Sequence, residues 1–327
     1  MSNLHNLSFS KKELENAVRI FYENCKVVYA KRLARGFMNY VAEIKITNPF
    51  KTFILKISNQ EKKYSIEKEV FVIKLLEKNN VSAPKIIKYD YSKKKFPFEI
   101  LILKKFNGMI LNDVWKKIDK KDQIKIAYDL GKILAKINSI KFKKFAAIHG
   151  FNKFKFYKNY YEAVNKDIHD VFKEHKKINF LEKETYKRVK KVFKKYKPLF
   201  LKFKKPVLVH NDFWFDHVFV KKSKNRYKVE GIIDFGFAGI FPKEMDFVKP
   251  HRWIFDKGKD IENAFMEGYQ SLIKLDKNFK TLLYLFRVHF DLFFIYRLYK
   301  THQIKLAKEY KNKLNHFLSI LENARGI

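Results

Sequence analysis

The chain has 327 residues, and 46% of them are hydrophobic, which is enough for a substantial core and excludes a broadly disordered protein. Its single cysteine, Cys25, excludes an intrachain disulfide and an all-cysteine zinc site, so we expect a cytoplasmic protein with Cys25 in its core. No apolar run approaches the roughly 20 residues needed to cross a bilayer, and no membrane span is expected.

The formal net charge of +37 is the most unusual bulk property of the chain. A positive charge of this size attracts phosphates, nucleic acids and anionic membranes. The lysines are spread along the whole chain, which favours solvated surface lysines over a dedicated binding surface. Nonspecific contact with nucleic acid through this basic surface stays open, and we expect a monomer or a dimer.

The first part of the chain predicts a small antiparallel sheet. Ser10 and Glu13 form a capping-box pattern that opens an amphipathic helix to about residue 24. Strands are predicted at 26–34, 40–46 and 51–57, with a glycine-bearing turn at 35–39 between the first two. A helix at 61–80 follows, and then strands at 81–90 and 98–106.

The sequence FNG at 106–108 breaks this pattern and predicts two domains, 1–106 and 107–327. The second domain is expected to be mainly helical, with helices at 121–140 and from about 260, and two short strands within 207–239. His149 and Gly150 are expected in a loop without a partner, and the aromatic stripe at 284–299 in the core. The predicted fold class is α+β.

Two acids follow apolar runs in the segments LVHNDFWFDHVFV, at 207–219, and GIIDFG, at 231–236. These acids are Asp212 and Asp234, and His217 lies five residues after the first. Two carboxylates close together repel unless a cation lies between them. Mg²⁺ suits such a site because it prefers oxygen ligands and is completed by water and substrate phosphates.

This pair of motifs resembles the catalytic and metal loops of aminoglycoside and macrolide phosphotransferases, which are related to choline kinases. The resemblance implies a protein-kinase-like fold with two lobes, a small antiparallel sheet lobe with one helix and a larger, mainly helical lobe. It implies Asp212 as the catalytic base and Asp234 as the main Mg²⁺ ligand. His217, where many members carry Asn, would be the second metal contact. His210 would brace the catalytic loop, and Asp246 would anchor the fold of the lobe.

The resemblance also implies that the first 106 residues bind ATP or GTP, through Gly36, Lys56, Glu69, Ile102 and Lys104. Gly36 would allow the backbone to approach a phosphate closely. Lys56 would contact the α- and β-phosphates and pair with Glu69, with Glu67 as the competing partner. The backbone of the strand at 99–106 would bind the purine edge.

The implied reaction is transfer of a γ-phosphate to a hydroxyl of a small molecule, and the acceptor stays open. A net charge of +37 opposes a polycationic acceptor, so a neutral or anionic acceptor is at least as well supported as an aminoglycoside. The acceptor pocket is expected between the 207–217 loop and the helices after 246. The alternative function is a catalytically weak or inactive kinase-fold protein that binds RNA or another anionic partner through its basic surface.

Overall fold

The computed structural model describes residues 7–33, 39–59, 65–224 and 226–324. A five-stranded antiparallel sheet lies in its N-terminal part. Its strands are β1 (Lys26–Arg32), β2 (Tyr40–Thr47), β3 (Lys51–Ser58), β4 (Ile86–Asp90) and β5 (Glu99–Leu103). Their order in the sheet is β1-β2-β3-β5-β4. The helices of this region are α1 (Lys11–Arg19) and α2 (Ile66–Lys78). The predicted sheet is confirmed.

Alternation of side chains gives this sheet a buried face. Ala42, Ile44 and Ile46 are fully or almost fully buried on β2, as are Phe53, Leu55 and Ile57 on β3. Helix α1 begins with the predicted capping box, in which Ser10 and Glu13 bond each other's backbone, and its apolar face joins this core together with Cys25. The predicted burial of Cys25 is confirmed.

Two smaller sheets lie in the second part of the chain. The strands are β6 (Met109–Ile110), β7 (Ala146–Gly150), β8 (Lys153–Phe156), β9 (Val207–Val209), β10 (Val218–Ser223), β11 (Arg226–Ile232) and β12 (Gly239–Phe241). They pair in the orders β11-β10-β6 and β8-β7-β12-β9. Because β6 pairs with β10, the chain has entered the second part by Met109, and the boundary at 106/107 stays a prediction.

Two expectations for this region are wrong. The 207–239 segment contains four strands and not two, and His149 and Gly150 end strand β7 instead of lying in a loop. The His149 carbonyl also has a partner, because it accepts a hydrogen bond from Ser65 Oγ at 3.2 Å. Strand β12 is three residues long and forms by pairing with the distant strands β7 and β9, so a local pattern does not reveal it.

The second part of the chain is otherwise helical, as predicted. Its helices are α3 (Leu111–Val114), α4 (Lys120–Asn138), α5 (Tyr160–Ile178), α6 (Lys183–Lys195), α7 (Lys197–Lys202), α8 (Val248–Trp253), α9 (Lys259–Gln270), α10 (Phe279–Lys300) and α11 (Ile304–Asn323). Within the described ranges, no helix is long and apolar enough to cross a membrane.

Helices α4 and α9 approach each other through two glycines. A Cβ atom at Gly131 of α4 would lie 2.0 Å from the Phe265 carbonyl oxygen, and one at Gly268 of α9 would lie 1.9 Å from the Tyr128 carbonyl oxygen. Backbone faces backbone at both places, so a side chain cannot simply rotate away. This contact fixes α4, and with it Asn138, whose hydrogen bonds reach the candidate site.

Replacing Gly268 with alanine is expected to lower the free energy of unfolding by about 2 kcal/mol, because the added methyl group overpacks the helix contact. On an unconstrained helix, replacing glycine with alanine would raise the free energy of unfolding by up to about 1 kcal/mol. The sign of the measured difference therefore tests the close helix contact. Denaturant unfolding measures it. The control, Lys136→Ala on the exposed side of α4, should change the value by less than about 0.5 kcal/mol. A Gly268→Ala protein as stable as wild type would contradict the close approach.

Candidate active site

Two loops with left-handed backbone carry the candidate catalytic acids. Asn211, which follows β9, has a φ of 61°, and Asp234, which follows β11, has a φ of 65°. Non-glycine residues rarely adopt this conformation, and Asn and Asp tolerate it best. The chain therefore turns sharply after each buried strand, and the turns bring Asp212 and Asp234 towards the same point.

Asp246 holds the first loop in place. Its carboxylate accepts hydrogen bonds from the backbone N–H of His210 at 3.0 Å, the N–H of Asn211 at 2.6 Å and Asn138 Nδ2 at 2.7 Å. Burial raises the pKa of Asp246 to about 6, although these donors act in the opposite direction. Tyr269 in turn donates to Asn138 Oδ1 at 3.0 Å, so helices α4 and α9 both support the loop. The expected anchoring role of Asp246 is confirmed.

His210 connects the first loop to the second. Its Nε2 lies 3.1 Å from the carbonyl oxygen of Ile233, and a carbonyl can only accept, so Nε2 carries the proton. Nδ1 is then free to accept from the N–H of Asp212 at 3.2 Å. Burial lowers the pKa of His210 to about 4, which keeps the ring neutral and in this tautomer near pH 7. The predicted bracing role of His210 is confirmed.

Asp212, His217 and Asp234 form a cluster whose ligand atoms lie within 4.8 Å of one another. Nδ1 of His217 lies 2.8 Å from the Asp212 carbonyl oxygen and must donate to it, so Nε2 bears a lone pair. That Nε2 is 3.6 Å from Asp234 Oδ2. Two carboxylates and one imidazole nitrogen fit a divalent cation, with the carboxylates as the ligands that Mg²⁺ prefers.

Asp234 is strongly held in its ionised form. Burial opposes ionisation, but the nearby Lys56 ammonium, helped by the N–H of Gly236, acts against it, and the pKa of Asp234 falls to about 2. The carboxylate is therefore available to a cation at any physiological pH.

Lys56 forms the predicted ion pair with Glu69. Lys56 Nζ lies 2.5 Å from Glu69 Oε2, and both side chains are nearly buried. Burial lowers the pKa of Lys56, but Glu69 and Asp234 together outweigh it and raise the pKa above its usual value. The competing residue, Glu67, pairs instead with Lys153 at 2.7 Å. The Asp234 carboxylate is close enough to contribute to the raised pKa of Lys56, so the Lys56 ammonium lies near the second loop.

Sequence reasoning missed two lysines of this site. Lys249 of α8 donates to Asp212 Oδ1 at 2.6 Å, and its ammonium lies over the rings of Trp253, at 4.5 Å, and Phe290, at 4.9 Å. Burial lowers the pKa of Lys249, and the charge of Asp212 opposes this shift. Lys68 of α2 donates to the Gly236 carbonyl oxygen at 2.7 Å and so ties that helix to the second loop. No motif distinguishes either lysine from the other basic residues of the chain.

Two residues of the predicted nucleotide site, Ile102 and Lys104, are not brought to this cluster. Gly36 lies outside the described residues. Ile102 pairs with Leu55 on one side and Lys88 on the other, so it lies inside the sheet. The side chain of Lys104 is exposed, and its N–H already donates to the Lys85 carbonyl oxygen at 2.8 Å. A purine contact by the backbone of β5 therefore stays a prediction.

A cavity of about 440 Å³ opens beside Asp212. Asn211, Asp212 and Lys249 lie in its wall, and further lining residues come from α5, α10 and strand β7. The expected position of a pocket, between the first loop and the helices after residue 246, is confirmed. Its size is within the usual range for a small-molecule site, roughly 300–1,000 Å³.

Two solved phosphotransferase structures have a similar fold. The GDP and kanamycin complex of APH(2″)-IIIa gives a TM-score of 0.66 at 17% identity, covering 96% of this chain and 100% of that chain. The GDP complex of wild-type aminoglycoside 2′-phosphotransferase-IIIa gives 0.65 at 15% identity, covering 95% and 99%. These likenesses confirm the predicted kinase-like fold, with its antiparallel sheet lobe and helical lobe.

Sequence comparison gives the family. No curated protein matches the chain in sequence. The model of the phosphotransferase enzyme family matches residues 30–277, which include the ion pair, both loops and Asp246. The chain therefore belongs to the phosphotransferase enzyme family, and the prediction that it is a phosphotransferase is confirmed.

Proposed function

We propose that the protein transfers the γ-phosphate of ATP or GTP to a hydroxyl group of a small molecule. The observation that carries this proposal is the convergence of Asp212, His217 and Asp234 within 4.8 Å, beside the Lys56–Glu69 ion pair and at the edge of a cavity. Family membership supports the phosphoryl transfer. The fold is similar to that of proteins solved with GDP, which supports a nucleotide donor.

The donor half of the site consists of Lys56, Asp234 and His217. The Lys56 ammonium, held by Glu69, would face the α- and β-phosphates and offset their charge. Asp234 and Nε2 of His217 would hold Mg²⁺, which when bound neutralises charge on the phosphates. The backbone around Gly36 and β5 is proposed to complete the nucleotide site, in line with the resemblance to the family.

The acceptor half of the site centres on Asp212. The acceptor oxygen attacks the γ-phosphorus, the bond from that phosphorus to the bridging oxygen breaks, and the hydroxyl proton passes to Asp212. The products are the phosphorylated acceptor and ADP or GDP. A loop fixed by Asp246 and His210 would hold the carboxylate in one place, and such positioning contributes much of the catalysis in phosphoryl transfer.

Lys249 is proposed to hold the Asp212 carboxylate in the correct orientation. Its ammonium occupies one carboxylate oxygen, Oδ1, so the other oxygen, Oδ2, is left to face the acceptor hydroxyl. The rings of Trp253 and Phe290 hold the ammonium in turn. Lys249 acts through Asp212 and is a positioning residue.

The net charge of +37 favours the alternative of an inactive, RNA-binding scaffold, whereas the intact charged residues of the site favour an enzyme. A buried pair such as Lys56–Glu69 carries a large desolvation penalty, and a charged cluster beside a cavity is typical of a working site. Nonspecific nucleic-acid contact through the basic surface, a monomeric or dimeric state and a cytoplasmic location stay predictions.

Asp212→Asn is expected to reduce kcat for phosphate transfer by about 10²–10⁴-fold, because the hydroxyl proton loses its acceptor. The measurement is transfer of labelled γ-phosphate from ATP and GTP to a pooled set of sugars, amino alcohols, nucleosides and aromatic alcohols. Asp216→Asn, an acid-to-amide change in the same loop, is the matched control and should retain activity. Equal rates for wild type and Asp212→Asn would contradict the assignment of the base.

Glu69→Gln is expected to lower kcat/KM for the nucleotide by at least about tenfold, because Lys56 loses the partner that orients it towards the phosphates. The adjacent change Glu67→Gln is the matched control, since Glu67 pairs with the largely exposed Lys153. Steady-state kinetics with varied nucleotide concentration measures both variants. If the two changes have the same effect, the ion pair with Lys56 has no special role in nucleotide use.

A further inference from the structure

The cavity beside Asp212 has aromatic walls. One wall is a face of helix α10, where side chains at helical spacing point into the cavity, namely Phe286, Phe290, Phe293 and Phe294. Tyr157, Tyr160 and Phe241 contribute rings from other elements. The interior is therefore suited to a ligand with a flat or ring-rich body, since rings pack in offset stacks and edge to face.

The aromatic stripe at 284–299 is thus only partly core, which corrects the expectation from the sequence. Phe286 is 1% exposed and is core, whereas Phe293 is 41% exposed although it lies in the cavity wall. Phe290 and Phe294 are half-buried and stack on each other at 5.7 Å. Helical spacing shows that these residues share a face, but it cannot show that part of that face borders a cavity.

Each acid in the cavity wall already has a basic neighbour. Asp212 contacts Lys249 at 2.6 Å, and Asp170 lies 3.4 Å from Lys166. Asp167 lies 3.9 Å from Nε2 of His289. Among the described residues, the lining contains three acids against five lysines and arginines. An ammonium group on a ligand would therefore compete with a lysine at Asp212 and at Asp170 and would meet an excess of positive charge in the wall.

We propose that the acceptor is a neutral alcohol with an aromatic or polycyclic hydrocarbon body, and not a polycation. The inference rests on the proposed function, because it takes this cavity as the acceptor site. The apolar body would be held by the rings of α10 and by Tyr157 and Phe241. Its hydroxyl would extend to Asp212, where Lys249 leaves one carboxylate oxygen free to accept the proton. Burial of hydrocarbon would supply the affinity, and the hydroxyl would supply the orientation.

The test compares three kinds of probe on the full-length protein. Naphthaleneethanol and estradiol are neutral and ring-rich, kanamycin is a polycation, and inositol is neutral but polar. Calorimetric titration measures the affinity for each probe and does not require phosphate transfer. Transfer of labelled γ-phosphate from ATP and GTP with Mg²⁺ gives the activity on the same probes.

The neutral ring-rich alcohols are expected to bind and to accept phosphate, while kanamycin and inositol do neither. Phe293→Ala should weaken binding of the ring-rich alcohols by about tenfold, because it removes apolar contact with the ligand. It should leave nucleotide binding unchanged, which also shows that the variant is folded. Phe156→Ala is the matched control, since Phe156 is 58% exposed and lies outside the wall of this cavity.

Two results separate failure of this inference from failure of the proposed function. Transfer to kanamycin or inositol, with no binding of a ring-rich alcohol, would overturn the acceptor class and support the kinase. Binding of a ring-rich alcohol that Phe293→Ala weakens, with no phosphate transfer to any probe, would support the ligand class and overturn the proposed reaction.

Discussion

The carboxylate of Asp246 is the constraint on which the candidate active site depends. It is buried, and it collects three N–H donors, two of them from consecutive backbone positions of the loop that carries Asp212. Since buried polar groups must be paired, neither the loop nor the carboxylate can move without leaving the other unsatisfied. His210 connects this loop to the second loop, because its Nε2–H donates to the Ile233 carbonyl oxygen. The sharp turn at Asn211 is maintained because Asp246 bonds its N–H.

The charges of the site are balanced in pairs, and this balance makes two nearby acids tolerable. Lys249 neutralises Asp212 at 2.6 Å, and Lys56 lowers the pKa of Asp234 from the other side. His217 lies between the two acids at 3.6 Å from each. Each lysine is itself constrained, Lys56 by Glu69 and Lys249 by aromatic rings. The two carboxylates are therefore held close together, as a divalent cation between them requires.

The sequence predicted the parts of the site that short motifs encode, and it missed the parts that only distant contacts create. Asp212 and Asp234 were predicted as site residues because each closely follows an apolar run in the sequence. The resemblance implied that Lys56 pairs with Glu69, with Glu67 as the competitor, and the Lys56–Glu69 contact confirms that pairing. Lys249 was missed because its partner is 37 positions earlier and its sequence neighbours carry no signal. Strand β12 was missed for the same reason, since three residues become a strand only by pairing with β7 and β9.

The residues proposed to carry out phosphate transfer and the residues that line the cavity lie on different elements of this fold. The proposed base and the proposed metal ligands follow β9 and β11, whereas the cavity wall is built largely from helices α5 and α10. Residues on a helix face can change one at a time without disturbing loops that Asp246 and His210 hold. A protein of similar fold, 17% identical to this chain, is therefore able to bind kanamycin. The cavity of this chain instead has aromatic walls, and its acids lie beside basic side chains. The net charge of +37 acts in the same direction, because it lowers the local concentration of any polycation around the whole molecule.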